Sequence, residues 1–328
     1  MATKTLYLAA ALLAIAAAAQ TTPKIVVSFP AYNVVLSEAF PNADVILITK
    51  GASDPHEYQL TAEDLQMLAS LTPRDVVVLS MHAPFEQKIA EMARDSQIKA
   101  KVIDLTKIQQ YLTYDNGAVN PHDHGIYPPN VLKLVAAVAN ATGLKPDPTF
   151  LQKLRELNST YCCRFSGKAV ALTPAAQYIL HWLGYRDIAV LIKEPGVPPT
   201  PQDLQKALQY AKEGAPVLAA VVRGEALRIV DQFRQKAQEA GVNPHIITAD
   251  FSKNYIQTLE ATVRQIAAVA QMSSAAETTA KQATQQNTAA TQTTHPAAGP
   301  ELTIPIAVAA TAIVLFAAAL LLLRRKKQ

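Results

Sequence analysis

The chain has 328 residues, is 50% hydrophobic and carries a formal net charge of only +4. This length and apolar content can build a sizeable core and more than one domain. No long basic stretch is interleaved with aromatic residues, so nucleic acid is not an expected partner. Two adjacent cysteines, Cys162 and Cys163, exclude a disulfide framework and the C-x-x-C spacing of a zinc ribbon.

The first residues have the pattern of a signal peptide. Lys4 precedes a short apolar run that ends in alanines. The run is shorter than a membrane-spanning helix, which needs about 20 residues. The sequence therefore predicts a signal peptide over residues 1–20 and an exported body.

Near the other end, residues 302–323 contain no charged residue and are followed by a basic cluster. A helix of this length would span roughly 33 Å, which is enough to cross the hydrocarbon core. Positive residues stay on the cytoplasmic side of a membrane. The sequence therefore predicts a single-pass protein of the cell membrane with an extracellular body, a transmembrane anchor at 302–323 and a cytoplasmic tail at 324–328.

Residues 273–300 contain no Val, Leu, Ile or aromatic residue. Such a segment cannot bury enough apolar surface to offset the entropy lost on ordering. It is interpreted as a disordered Thr/Ala/Gln-rich stalk between body and anchor. Asn140 and Asn158 each begin an N-glycosylation sequon, which suits an exported body.

The body begins with apolar strands that alternate with helical segments. Strands are predicted at 24–29, 44–49, 75–80 and 101–105, with helices at 31–40, 61–70 and 84–95. The strands are continuous apolar runs, which is typical of a parallel sheet covered on both faces. They predict an N-terminal α/β lobe over residues 23–129, whose last part, 113–129, is a loop rich in Asn, Pro and His.

A helical connection is predicted over residues 130–165, with helices at about 130–142 and 148–162. The alternation then resumes in a C-terminal α/β lobe over residues 166–272. Its strands are predicted at 168–173, 187–192, 216–222 and 245–248, with a last helix at about 252–271. The predicted fold class is therefore α/β, with two βα lobes of parallel-rich sheets joined by a helical connection, plus a C-terminal transmembrane helix.

Four histidines lie in the loops of the first lobe, namely His56, His82, His122 and His124. The strand-end loops of a parallel sheet open on one edge, so these imidazoles can converge. Neutral imidazole is a common metal ligand, and three or four such ligands suit zinc or a similar ion. Each histidine taken alone is more readily explained as a solvated loop residue, and the group of four is what favours a metal site. His181 and His245 are interpreted as structural.

No catalytic motif is present: the chain has no G-x-S-x-G, no H-E-x-x-H and no phosphate-binding glycine loop. A zinc hydrolase built on His56, His82 and His122 would need a glutamate base, and no motif supplies one. The sequence therefore indicates a protein that is not an enzyme.

Several segments of the body resemble the zinc/manganese solute-binding proteins of ABC importers. Two segments carry most of the resemblance, DPHEYQLTAEDLQML at 54–68 and NPHDHGIYPPN at 120–130. RDVVVLSMHAPFEQKI at 74–89 and EPGVPPTPQDL at 194–204 match more loosely, and the whole covers roughly residues 23–270. The resemblance implies two α/β lobes that hold a metal ion between them, typically on three histidines and one acidic residue.

Carried over to this chain, the resemblance implies His56 and His122 as the first two histidine ligands and Asp250 as the acidic ligand. Thr173 stands at the usual third-histidine place, and threonine is a poor zinc ligand. His82 is the preferred substitute because it ends a strand that neighbours the His56 loop. His124 is the other candidate.

The implied function is a membrane-anchored extracellular receptor that binds Zn²⁺ or Mn²⁺ in the interlobe cleft. It would deliver this cargo to an ABC permease and its ATPase. The alternative is a surface binding or adhesion module of the same fold whose site is degenerate or holds no metal, with Thr173 as the trace of that loss.

Overall fold

Short apolar strands build the first lobe. The computed structural model describes residues 22–52, 55–221 and 225–272. The first sheet has the order β2-β1-β3-β4, with β1 (Lys24–Val27), β2 (Asp44–Leu47), β3 (Val76–Leu79) and β4 (Lys101–Asp104). All its pairings are parallel. The inner strand β3 is buried along its whole length, as the predicted continuous apolar runs require.

Helices follow these strands with clear start signals. The helical segments of the first lobe are α1 (Pro30–Ala39), a 3₁₀ turn (Pro55–Glu57), α2 (Ala62–Ser70), α3 (Pro84–Arg94) and a second 3₁₀ turn (Leu105–Lys107). Helices α1 and α3 begin with proline, whose fixed φ suits a first helical position. In α2, the Thr61 hydroxyl accepts from Asp64 N–H at 3.2 Å, and the Asp64 carboxylate accepts from Thr61 N–H at 2.8 Å. This reciprocal cap places the helix directly after the His56 loop.

The segment between the lobes contains a small antiparallel hairpin and two helices. They are β5 (Leu112–Thr113), β6 (Val119–Asn120), α4 (Pro128–Thr142) and α5 (Pro148–Tyr161). The interpretation of 113–129 as loop throughout is therefore corrected. Strands of two residues are too short to produce an alternating pattern, and helix α4 starts earlier than predicted because Pro128 opens it.

The second lobe repeats the alternation. Its elements are β7 (Lys168–Ala171), α6 (Pro174–Leu183), β8 (Asp187–Val190), α7 (Pro201–Lys212), β9 (Val217–Val221), α8 (Glu225–Glu239) and β10 (Ile246–Asp250). A last helix, α9, occupies residues 255–272. The sheet is parallel with the order β10-β9-β7-β8. The prediction of two parallel-sheet lobes with a helical connection is confirmed.

The two sheets have the same strand order once the second is written as β8-β7-β9-β10. In each, the first strand lies between the second and the third, so the chain changes direction across the sheet at that point. Open α/β sheets bind ligands outside the carboxyl ends of the strands at such a switch point. The fold therefore directs attention to the residues that follow β1 and β3, and to those that follow β7 and β9.

One apolar core runs through the first lobe, helices α4 to α6, the inner face of the second sheet and α9. A smaller core lies on the other face of the second sheet, under α7 and α8. Helix α9 is hydrogen-bonded to the first lobe, because the Glu38 carboxylate accepts from the N–H groups of Tyr255 and Ile256. The Tyr255 hydroxyl also donates to Ile126 O at 3.1 Å.

The predicted single-pass location in the cell membrane is corrected. Within the described ranges, none of the helices combines the length and the apolar character needed to cross a membrane. The predicted signal peptide (1–20), stalk (273–300), anchor (302–323) and tail (324–328) lie outside the described residues.

Candidate metal centre

A buried carboxylate shapes the turn that presents His82. Glu86 is 0% exposed and accepts from Ser80 N–H at 2.6 Å, His82 N–H at 2.8 Å and Ala83 N–H at 2.9 Å. Met81, just before His82, has a φ of 61° in the left-handed region. The turn after β3 is thus held by the first turn of α3. The result is that His82 stands at the carboxyl edge of the sheet, beside the switch point.

His56 lies in the 3₁₀ turn that follows β2. Its ring meets the ring of Phe29, the residue before α1, edge to face at a centroid distance of 5.1 Å. The His56 and His82 rings are 5.0 Å apart, also edge to face. The loops that follow β2 and β3, two strands with β1 between them, therefore bring these imidazoles together at the shared edge of the sheet.

His122 reaches the same edge from the loop after the hairpin. Its N–H donates to Asn120 Oδ1 at 2.9 Å, while Asn120 Nδ2 donates to Gln177 Oε1 of α6 at 2.8 Å. The loop passes close to Tyr32, because a Cβ added at Gly125 would lie 2.8 Å from Tyr32 Cδ1, and Gly125 has a φ of +78°. Only glycine suits both the left-handed conformation and this close approach. These contacts fix the conformation of the loop, which places His122 beside His82.

The ligand nitrogens of His56, His82 and His122 all lie within 4.8 Å of one another. The His82 and His122 rings are 4.6 Å apart and nearly perpendicular. Within the ranges that the structure describes, no hydrogen-bond partner faces the buried Nε2 of His82. A buried imidazole nitrogen without a partner is costly, so this cluster has the character of a binding site.

Burial, followed by the adjacent rings of His82 and His56, lowers the pKa of His122 to about 3. Burial and the His56 ring also lower the pKa of His82, although Glu86 opposes the change. In the metal-free protein at neutral pH these two rings are therefore neutral. Neutral imidazoles carry a nitrogen lone pair that can bind a metal ion.

His124 lies behind His122. Its Nε2 is 3.3 Å from His122 Nδ1, and its ring stacks on Phe29 at a centroid distance of 4.6 Å. Because Nδ1 of His122 contacts His124, Nε2 of His122 is the nitrogen expected to bind a metal ion. His124 thus has the position of an orienting partner for His122, with an imidazole in place of the carboxylate or backbone carbonyl that metal-binding histidines usually contact.

Thr173 follows β7 at the switch point of the second lobe, and its hydroxyl is hydrogen-bonded within that lobe. The Thr173 hydroxyl donates to Ala220 O at 2.7 Å and accepts from Ala220 N–H at 3.1 Å. It bridges to β9 as a further step of the strand pairing would. Both functions of the hydroxyl are therefore engaged inside the second lobe.

Asp250 is exposed at the end of β10. Its Oδ1 accepts from Ser252 N–H at 2.9 Å, and it is not part of the group of ligand atoms formed by the histidines. Its assignment as the acidic ligand stays a prediction, which the geometry described does not support.

A residue of the second lobe that received no role from the sequence does reach the cluster. Glu194, in the loop after β8, places Oε2 3.2 Å from His122 Nε2, with 53% of its side chain exposed. A carboxylate shortly after a strand, at the binding edge of the sheet, is the signal that could have identified it. The loop also belongs to the EPGVPPTPQDL segment of the resemblance.

Comparison with known proteins agrees with the fold. The family model of ZnuA, the periplasmic component A of the zinc-uptake complex, matches residues 25–269. No curated protein matches the sequence. Among solved structures, FpvC from Pseudomonas aeruginosa in complex with Mn²⁺ is 17% identical, covers 77% of this chain and 100% of that chain, and gives a TM-score of 0.55.

Two further structures are similar in the same way. The periplasmic zinc-binding protein TroA from Treponema pallidum is 15% identical, with 76% of this chain and 99% of that chain covered and a TM-score of 0.56. A ZnuA crystal structure is 18% identical, with 75% and 98% covered and a TM-score of 0.52. At these identities the structures show a shared fold, whereas the family match spans most of the chain. The chain therefore belongs to the ZnuA family of metal-binding solute-binding proteins of ABC importers, which are transport components and not enzymes.

Proposed function

We propose that the chain captures a divalent transition metal, zinc or manganese, as cargo and delivers it to an ABC permease and its ATPase. The observation that carries the proposal is the convergence of the His56, His82 and His122 ligand nitrogens within 4.8 Å. They meet beside the switch point of the first sheet, where α/β folds bind ligands. The cargo would lie in the cleft between the two lobes.

The chemistry of the cluster suits such an ion. Zinc–nitrogen bonds are about 2.0–2.1 Å long, so nitrogens that share one zinc ion lie roughly 3–4 Å apart. Neutral rings also avoid the competition with protons that weakens metal binding to histidine.

The relatives support the choice of cargo. TroA is a zinc-binding protein, and FpvC has been observed with Mn²⁺ and with Ni²⁺. Membership of the ZnuA family supports the transport role and the partnership with a permease.

A second candidate function is a surface binding or adhesion module that keeps the fold and binds no metal. The observation that favours it is Thr173, whose hydroxyl is committed to Ala220 where a histidine is usual. This candidate predicts that the histidine cluster has no measurable affinity for divalent ions.

Metal analysis separates the two. The purified full chain would be dialysed against ZnCl₂ or MnCl₂ at neutral pH, and the bound metal per chain determined by elemental analysis. We expect one ion per chain, loss of that ion in His56→Ala, and retention in the control His245→Ala, since His245 is exposed on the second lobe. A wild-type chain that binds neither metal would contradict the proposal and favour the second candidate.

A further inference from the structure

We infer that Glu194 is the ligand that the second lobe contributes to the metal, in place of the histidine that Thr173 replaces. This inference rests on the proposed function and deepens it. It assigns the fourth ligand to a loop other than the one that carries Asp250.

The histidine cluster alone leaves a coordination position to be filled. His56, His82 and His122 all belong to the first lobe or to the loop that follows its hairpin. Zinc bound by protein is almost always four-coordinate. The Thr173 hydroxyl is bound on both sides by Ala220, so the second lobe must use a different group if it is to contribute.

The position of Glu194 fits one edge of a tetrahedral shell. Two ligands that bind one zinc ion at about 2.0–2.1 Å with a tetrahedral angle are roughly 3.3 Å apart. Glu194 Oε2 is 3.2 Å from His122 Nε2, the ring nitrogen that does not contact His124. The carboxylate and the imidazole therefore already have the separation that a shared ion requires.

The backbone beside Glu194 is held from two sides. The Tyr114 hydroxyl donates to Lys193 O at 2.6 Å. The Lys193 ammonium pairs with Asp115 at 3.0 Å and with Asp203 at 2.8 Å. Tyr114 and Asp115 follow β5 in the hairpin, whereas Asp203 opens α7 of the second lobe. The loop is thus held against the hairpin that leads into the His122 loop, which keeps Glu194 close to His122.

Charge favours the same assignment. A divalent ion held by three neutral imidazoles keeps its full charge of +2, which is costly in a partly buried site. One carboxylate reduces this charge and supplies an oxygen ligand of the kind that zinc accepts. A shell of three nitrogens and one oxygen also favours zinc over manganese, since manganese prefers sites rich in oxygen ligands.

The test measures Zn²⁺ affinity of the full chain by competition with a chromogenic chelator, together with the visible spectrum of the Co²⁺-loaded protein. Glu194→Gln should weaken zinc binding at least about tenfold, because a direct ligand should matter no less than an outer-shell partner. The cobalt spectrum should change, since it reports the ligands themselves. Glu239→Gln, an equal charge removal on α8 where Glu239 pairs with Lys236, should leave both readouts unchanged.

Two results would overturn the inference. One is a Glu194→Gln variant with the zinc affinity and cobalt spectrum of the wild type. The other is loss of affinity in Asp250→Asn with none in Glu194→Gln, which would return the role to Asp250. A wild-type chain that binds no zinc would instead contradict the proposed function itself. The melting temperature of each metal-free variant checks folding, which half-exposed Glu194 should not affect.

Discussion

The two lobes share one strand order but differ at their switch points. In the first lobe, the loops after β2 and β3 carry His56 and His82. The His82 ring has a buried nitrogen without a hydrogen-bond partner among the described residues. In the second lobe, the equivalent edge is closed by Thr173, whose hydroxyl joins β7 to β9 through Ala220. The same topology thus presents histidine ligands at the sheet edge of the first lobe, whereas hydrogen bonds between strands close the equivalent edge of the second lobe. Function follows from the side chains placed at the edge, not from the fold.

The largest expected effect comes from removing the imidazole ring of His82 in the first lobe. His82→Ala should lower zinc affinity by about 100-fold or more, because one of three nitrogen ligands is lost. Competition with a chelator measures the change, and His181→Ala is the matched control, since His181 lies on α6 outside the cluster. Loss of binding in His56→Ala with no change in His82→Ala would show that His82 is not a ligand.

The buried support of His82 should matter next. Glu86→Gln keeps the size of the side chain but leaves at least one of the donors of Ser80, His82 and Ala83 facing an amide N–H₂. We expect a loss of about 2–3 kcal/mol in the free energy of unfolding, measured by chemical denaturation of the metal-free protein. Glu91→Gln, on the exposed side of the same helix, should be close to neutral. Equal effects of the two substitutions would contradict this role of Glu86.

The hydrogen bonds of Thr173 in the second lobe can be tested by a similar substitution. Thr173→Val preserves shape but removes the hydroxyl, so the N–H and C=O of Ala220 both lose a partner in a buried setting. The expected cost is about 1–2 kcal/mol in the free energy of unfolding. Thr248→Val on β10, where the side chain is exposed, provides the control. A Thr173→Val protein as stable as the wild type would show that the bridge contributes nothing.

The smallest expected effect concerns Asp75, which lies at the amino-terminal end of β3. Burial acts to raise the pKa of Asp75, but hydrogen bonds from Lys24 N–H and Thr72 N–H, each 2.7 Å long, outweigh it and lower the pKa. A depressed pKa in the folded state means that the carboxylate stabilises the fold above the unfolded value of about 3.9. This stabilisation is lost as the pH falls through the folded value.

Asp75→Asn should therefore cost about 1 kcal/mol at neutral pH, and the cost should shrink in acid. Denaturation at a series of pH values measures both. The second lobe ties the corresponding strand β7 with an exposed pair, Lys168–Glu213 at 2.7 Å. Glu213→Gln should have a smaller effect, because exposed ion pairs contribute little. A cost for Asp75→Asn that does not vary with pH would contradict the assignment.

Local pattern was enough to predict most of the fold. Each strand of the two four-stranded sheets overlaps a predicted apolar run, but the runs extend two residues past β1, β2, β7 and β8. Those extra residues, such as Phe29 and Ile192, remain buried although they lie beyond the strands. Burial and strand pairing are different properties, and hydrophobicity reports only the first.

The candidate site likewise has a part that the sequence could predict and a part that it could not. That His56, His82 and His122 come together follows from one rule, that strand-end loops of a parallel sheet share an edge. The approach of Glu194 depends on contacts between segments distant in sequence, such as Tyr114 with Lys193, which no local pattern encodes. The separation of Asp250 from the histidines likewise depends on how the two sheets pack.

The apolar core that runs from the first sheet through α6 to α9 couples the lobes thermodynamically. Unfolding one lobe alone would strip the shared surface of the other, so we expect a single cooperative transition. A ligand that binds only the native protein adds a stability of RT ln(1 + [L]/Kd) to the whole cooperative unit. Cargo held by loops of the first lobe would then protect residues of the second, such as Trp182, against proteolysis and hydrogen exchange.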